Sequence, residues 1–253
     1  MTNHPSAVFG ELRIDFHTHI LPEMDDGSSS LEESVRMLRV SAQDGVSCVV
    51  LTPHFYAERE EPARFLDRRE RCFEHLCRAQ IPEFPLLVPG AEIAYYGGIL
   101  GMQELPQMCA GKSRCLLLEM PFCPWTERML SEVVALSARG GYQIVLAHAE
   151  RYLRYQKDEV FFRLMEQGIH FQANAGFFND WRTRRKAFHL LKTGRIHLLG
   201  SDSHNMVYRP PNLGEACRIF HEKKQEDELY RIMNRAAYLL ELSGFPEKRE
   251  NEQ

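Results

Sequence analysis

The chain has 253 residues, 44% of them hydrophobic and 26% charged, with a formal net charge of −4. That length suits a single α/β barrel domain and can bury a large core without disulfides or a structural metal. The mild acidity excludes the broad basic field of a nucleic-acid binder, and no apolar run approaches the ~20 residues of a membrane helix, so direct membrane insertion is excluded as well.

Met1–Gly10 carries neither the cationic start nor the apolar core of a secretory signal. Leu12–Phe16 alternates and reads as a first strand. Ser30-Leu31-Glu32-Glu33 has the pattern of a capping box, opening a helix that Gly45 stops. Val46–Leu51 is a buried strand, Pro62–Ala79 an Arg/Glu-rich helix, and Pro85–Val88 a third strand. The segment Ile93–Lys112 is irregular, broken by Gly97, Gly98 and Pro106. Strands follow at Cys115–Leu118, Gln143–Ala147, Ile169–Gln172 and Ile196–Leu199. Helices are predicted over Glu127–Arg139, Asp158–Gln167 and Asp180–Lys192, then from about Leu213 and over Asp227–Leu242.

Strands alternating with helices at this spacing imply a parallel sheet. About seven βα units, with no linker between them, fit a TIM-like barrel one unit short of eight; an open doubly wound sheet also fits the alternation. The expected organisation is one domain over 1–253, with 1–10 and 246–253 as flexible ends. The run Arg182–Lys186 reads as a solvated helix face. The seven cysteines are odd in number, and Cys48 and Cys115 sit inside strand-like runs. That pattern suits reduced thiols in a cytoplasm.

Metal-ligand residue types recur where these strands end. They stand in Asp15-Phe16-His17-Thr18-His19, Asp25-Asp26-Gly27, Thr52-Pro53-His54, Gly90-Ala91-Glu92, Leu118-Glu119, Ala147-His148 and Ser201-Asp202-Ser203-His204. Taken singly, each has an ordinary structural explanation: a packed histidine, a turn, a surface charge. Together they favour a closed barrel, which brings all strand ends around one mouth. In an extended chain the rings of His17 and His19 point to the same side, and Asp202-x-His204 repeats that spacing. Mixed imidazoles and carboxylates without thiolate suit Mn²⁺, Fe²⁺ or Zn²⁺. About eight donors are too many for one ion and imply a cluster, an arrangement suited to hydrolysis by a metal-activated water. Arg151 and Arg209 lie on loops at the same mouth, where a guanidinium can fork onto phosphoryl oxygens or simply join a surface ion pair.

These motifs, with Ser34 in the helix after Met24-Asp25-Asp26-Gly27, Glu150-Arg151-Tyr152, and Asn174-Ala175-Gly176, resemble the polymerase-and-histidinol-phosphatase (PHP) domain superfamily. The likeness is greatest to its bacterial capsule-associated, manganese-dependent protein-tyrosine phosphatases, and it spans about residues 12–243. The resemblance implies a distorted seven-stranded (β/α)7 barrel with up to three divalent metals, usually manganese. By it, His17, His19, Glu92 and Asp202 hold one metal. Glu92, Glu119 and His148 hold a second, with Glu92 bridging, and Asp26, His54 and His204 hold a third, with Asp25 as a neighbour. It makes Arg151 and Arg209 the phosphate clamp. It also implies hydrolysis of phosphotyrosine on a bacterial tyrosine autokinase that controls capsule or exopolysaccharide synthesis.

Three other functions compete. A histidinol-phosphate phosphatase or other PHP phosphoesterase would share the metal site. A metal-dependent amidohydrolase also begins with His-x-His in a barrel, but commonly bridges its metals with a strand-end lysine where this chain has Glu92 or Glu119. A metal-binding interaction module would need no complete ligand set. Cys72 to Arg78 satisfies C-x5-R, the spacing of cysteine-dependent tyrosine phosphatases. It lies within a predicted helix, however, whose N–H groups are already engaged and so cannot cradle a phosphate.

Overall fold

The computed structural model describes residues 12–79 and 84–242; the expected flexible ends at 1–10 and 246–253 lie outside the described residues. Its strands are β1 (Ile14–Thr18), β2 (Cys48–Leu51), β3 (His54–Phe55), β4 (Leu86–Pro89), β5 (Glu92–Ala94), β6 (Cys115–Glu119), β7 (Gln143–Leu146), β8 (His170–Asn174) and β9 (Leu198–Gly200). The helices are α1 (Leu31–Gln43), α2 (Pro62–Cys77), α3 (Leu105–Met108), α4 (Glu127–Ala138), α5 (Asp158–Glu166), α6 (Ala175–Asn179), α7 (Arg184–Lys192), α8 (Leu213–Glu222) and α9 (Glu226–Leu239). Each strand expected from the sequence is present, although the first runs two residues further than its alternation suggested and takes His17 into the sheet.

All strand pairs are parallel. They fall into a three-stranded sheet, β1-β2-β4, and a six-stranded one, β3-β5-β6-β7-β8-β9. The division arises just past two of the predicted strands. Thr52-Pro53 separates β2 from β3, because proline has no N–H for the ladder; Gly90-Ala91 separates β4 from β5. Single hydrogen bonds carry the pairing across both breaks, from Gly90 N–H to Leu51 O (2.8 Å) and from Glu92 N–H to Pro53 O (3.0 Å). At the other side β9 returns to β1. Asp202 N–H donates to His17 O and His19 N–H to Ser203 O, both at 2.8 Å, and Thr18 and Ser203 form a parallel bridge. The result is a mixed α/β fold with a curled parallel sheet.

Strands buried on both faces need continuous apolar runs, and β2, β6 and β7 supply CVVL, CLLL and IVL. Helix faces close the outside: Phe178, Phe188 and Phe220 pack together from α6, α7 and α8. Arg69 on α2 is buried and ties the irregular 93–112 segment down, donating to Gly90 O (3.1 Å) and Gln107 O (3.0 Å). Ser30 caps α1 by accepting from Glu33 N–H. The reciprocal half of the expected capping box is displaced: Glu33 Oε2 takes the backbone N–H and hydroxyl of Ser29, and its Oε1 takes Met206 N–H. One carboxylate thus links the helix start to the loop after β9. Ser34 serves a similar end, donating to Ile20 O at 2.6 Å and meeting Ser28 Oγ at 2.8 Å.

Candidate metal centre and anion clamp

The nine predicted ligands meet in one cluster, in which His54 and Glu92 are the first residues of β3 and β5. Glu92, fully buried at the start of β5, is the hub. Its Oε2 lies 3.1 Å from His17 Nε2, 3.3 Å from His19 Nε2 and 3.0 Å from His54 Nδ1. Its Oε1 lies 2.9 Å from His148 Nε2, which is also 3.2 Å from Glu119 Oε1. Asp202 Oδ1 is 3.6 Å from His17 Nε2, 3.5 Å from His19 Nε2 and 3.7 Å from His204 Nδ1. Asp26 is the exposed member, 3.7 Å from His54 Nε2 and 3.6 Å from His204 Nε2. Three groups have donor atoms close enough to share an ion: His17, His19 and Asp202; His54, Glu92 and Glu119; and His19, Asp26, His54 and His204.

Local backbone geometry helps aim these groups. His148 and Asp202 both adopt left-handed backbone, at φ 35° and 54°, a conformation that costs a non-glycine residue energy and recurs at functional sites. Two glycines allow the loops to close on the histidines. A Cβ on Gly27 would stand 2.2 Å from His19 O, and one on Gly200 would stand 2.5 Å from His17 Cβ.

Asp25 supports two of these ligand candidates, with Oδ2 accepting from His19 Nδ1 and from His54 N–H, each at 2.7 Å. A buried amide that the sequence motifs did not single out does comparable work. Gln172 Oε1 accepts the backbone N–H of His148 at 2.8 Å and lies 3.1 Å from His17 Nδ1. A backbone N–H can only donate, so that atom of Gln172 is the oxygen, and His17 must carry its proton on Nδ1. Gln172 Nε2 then donates to Asn174 Oδ1 (3.0 Å), which turns Asn174 Nδ2 onto Asp202 Oδ2 (2.7 Å). One peptide N–H therefore sets the polarity of a chain running from His17 to Asp202. The signal for it in the sequence is an amide between the apolar residues Phe171 and Ala173 of a buried strand.

The donor set fits divalent cations. With Nδ1 of His17 bonded to Gln172 and Nδ1 of His19 bonded to Asp25, both Nε2 atoms are turned toward Glu92, 3.0 Å apart, so that loss of the Nε2 proton would give each a lone pair for a cation. Glu92 Oε2 and His54 Nδ1 are buried without a hydrogen-bond partner among the described residues. Converging lone pairs of this kind repel one another unless positive charge lies among them. The charges respond accordingly. Burial opposes ionisation of Glu92, yet His17 and the neighbouring imidazoles hold its carboxyl well below the usual range. Asp202 is held low in the same way by His17, His19 and Arg151. Against its own burial, His148 is raised to about 9 by Glu119 and Glu92. Burial, with His19 and Arg209 nearby, pushes His204 down to about 4.

Arg151 and Arg209, each 38% exposed, both direct an Nη2 at Asp202 Oδ2, Arg151 at 2.5 Å. The two predicted clamp residues therefore come together over the ligand cluster, held by a carboxylate that stands where an oxyanion could replace it. Arg209 Nη1 is also 2.9 Å from His204 Nε2. The C-x5-R spacing produces no anion loop: Cys72 is on α2, burial raises its thiol pKa, and Arg78 pairs with Glu74 on the surface. None of the seven cysteines forms a disulfide among the described residues. Among the described residues no helix is long and apolar enough to cross a membrane.

Comparison with known proteins gives this arrangement a context. The family model described as capsular polysaccharide synthesis, CpsB/CapC, matches residues 13–240. Tyrosine-protein phosphatase YwqE of Bacillus subtilis (strain 168) is 28% identical over 236 residues, covering 90% of this chain and 91% of YwqE. Tyrosine-protein phosphatase CpsB of Streptococcus agalactiae is 30% identical over 221 residues, covering 81% of this chain and 88% of CpsB. A chain from the crystal structures of YwqE from Bacillus subtilis and CpsB from Streptococcus pneumoniae, described as unique metal-dependent tyrosine phosphatases, superposes with a TM-score of 0.78. It is 26% identical, and the match covers 90% of this chain and 94% of that one. A D-hydantoinase shares the fold at a TM-score of 0.51 and 12% identity, over 88% of this chain and 68% of that one.

Proposed function

This chain belongs to the CpsB/CapC family of capsular polysaccharide synthesis, and we propose that it is a metal-dependent protein-tyrosine phosphatase. The observation that carries the reading is the meeting of eight further candidate ligands with Glu92, and of two guanidiniums on the adjoining Asp202. The tyrosine-phosphatase names of YwqE and CpsB support the substrate class.

We assign His17, His19, Glu92 and Asp202 to one metal, Glu92, Glu119 and His148 to a second, and Asp26, His54 and His204 to a third. Manganese is the proposed ion, with Fe²⁺ or Zn²⁺ as substitutes that this donor set also accepts. When bound, such ions supply an activated water and Lewis-acid stabilisation of phosphoryl oxygens. The protein's own groups do the rest. Arg151 and Arg209 exchange Asp202 Oδ2 for the phosphoryl oxygens and neutralise charge as it develops there. Gln172 and Asp25 hold His17 and His19 in the tautomers that present Nε2. Phe122, whose ring centroid lies 5.8 Å from those of His148 and Tyr152, offers an aromatic face to the phenyl ring.

We read the scaffold as a distorted seven-stranded barrel in a single domain. Counting β2 with β3 and β4 with β5 as broken single strands gives seven, and the return of β9 to β1 supports closure. A cytoplasmic location is consistent with cysteines that form no disulfide among the described residues, and a bacterial tyrosine autokinase is the proposed protein substrate. The test compares phosphotyrosine peptide with histidinol phosphate, each with manganese. The reading expects kcat/KM to favour the peptide at least tenfold; preference for histidinol phosphate would overturn it in favour of the other superfamily activity.

A further inference from the structure

Beside the clamp opens a pocket of about 510 Å³ lined by Phe122, Glu150, Arg151, Leu153, Arg154 and Lys186. Three of the six are cations, and they come from two separate parts of the fold: Arg151 and Arg154 from the segment after β7, Lys186 from α7. Arg151 is committed to Asp202. Arg154 rests over the ring of Tyr155, 4.6 Å from its centroid, and neither it nor Lys186 forms an ion pair among the described residues. The pocket's one acid, Glu150, points elsewhere: its two carboxylate oxygens lie 3.3 and 3.4 Å from Asn174 N–H. Two cations in a concave surface, Arg154 and Lys186, that form no ion pair among the described residues raise the local potential and attract an anion. Leu153 and Phe122 add an apolar wall for the stem of that group.

We propose that this pocket is a specificity subsite that takes an anionic side chain of the substrate, carboxylate or phosphoryl, lying a few residues from the phosphotyrosine. The inference rests on the phosphatase reading, because Arg151 lines both the clamp and the pocket. A chain held by its phosphate at Arg151 carries its neighbouring residues past Arg154 and Lys186. Lys186 belongs to the run Arg182–Lys186 that the sequence alone suggests is merely a solvated face.

The test uses the full chain with manganese and three peptides of one sequence: a single phosphotyrosine with a neutral glutamine nearby, the same with glutamate there, and the same with a second phosphotyrosine. The wild type is expected to prefer both anionic peptides over the neutral one by roughly fivefold or more in kcat/KM, mostly through KM. In Arg154→Gln/Lys186→Gln that preference collapses toward one, and in the wild type it shrinks as salt is raised. Preference for the doubly phosphorylated peptide alone would restrict the subsite to phosphoryl groups and overturn the carboxylate half. An absent preference in the wild type, or one that survives in the double variant, overturns the subsite. If no peptide is hydrolysed, the phosphatase reading fails by itself; binding of the same peptides by fluorescence anisotropy still decides the pocket, by the same comparison of anionic with neutral.

Discussion

Replacing Gln172 by leucine keeps the volume of a fully buried side chain and removes its amide. Three partners lose their only recorded side-chain bond: the His148 N–H at 2.8 Å, His17 Nδ1 at 3.1 Å and Asn174 Oδ1 at 3.0 Å. A buried polar group left unsatisfied costs about 1–3 kcal/mol. Asn174 can turn over to recover part of that, so a net loss of roughly 3–5 kcal/mol of folding stability follows for the metal-free protein. The larger consequence is on the centre itself. His17 is no longer obliged to keep its proton on Nδ1, and Asn174 no longer has its Nδ2 turned toward Asp202. Losing such support typically weakens metal binding by about 10–100-fold. Gln172→Glu separates the two effects, since it keeps the acceptor for His17 and His148 but removes the donor to Asn174. Urea unfolding gives the stability, titration calorimetry the metal affinity, and ¹⁵N–¹H imidazole correlations the tautomer of His17. A Gln172→Leu protein with wild-type metal affinity and an unchanged His17 tautomer would refute the claim that one peptide N–H orients this side of the site.

Three further expectations are more local. Gly200→Ala places a Cβ 2.5 Å from His17 Cβ; overpacking of this kind costs about 1–3 kcal/mol, read as a lower melting temperature together with weaker metal binding. The neighbouring His170 and His197, with ring centroids 5.4 Å apart, are pushed by burial to about 4 and about 3. The unfolded chain therefore takes up protons first as pH falls below the ordinary histidine value. Stability that is complete above that value declines by about 2 kcal/mol per histidine near pH 5, and His197→Gln should flatten the decline in urea midpoints relative to wild type. Cys72→Ser should leave phosphotyrosine turnover intact; loss of turnover with metals still bound would mean that the helical cysteine takes part in the chemistry.

Much of the fold could be read from local pattern because parallel strands buried on both faces must be apolar runs, and helices must show caps and amphipathic spacing. That the nine candidate ligands cluster was legible for a related reason: donors placed after successive runs can meet only at one rim. What local pattern does not carry is partnership across the chain. Nothing near Gln172 announces His17, 155 residues away. Nothing near Glu33 announces Met206, so its carboxylate was expected on the Ser30 N–H instead of bridging to the loop after β9. The strands predicted from the sequence end before Thr52-Pro53 and Gly90-Ala91, but β3 and β5, which resume after those breaks at His54 and Glu92, are too short to leave a periodic signal. Asp25 and Asp26 are adjacent and chemically alike; the family resemblance set Asp26 apart as a ligand, and the fold adds that Asp25 supports His19 and His54.

The account stands or falls on whether this rim works as a metal centre. Exhaustive chelation, followed by measurement of bound metal and of phosphate release from a phosphotyrosine peptide, tests that directly. The expected result is a chain that binds about three divalent ions, loses turnover with them, and regains both on addition of manganese. Turnover that persists in the metal-free protein would contradict the account.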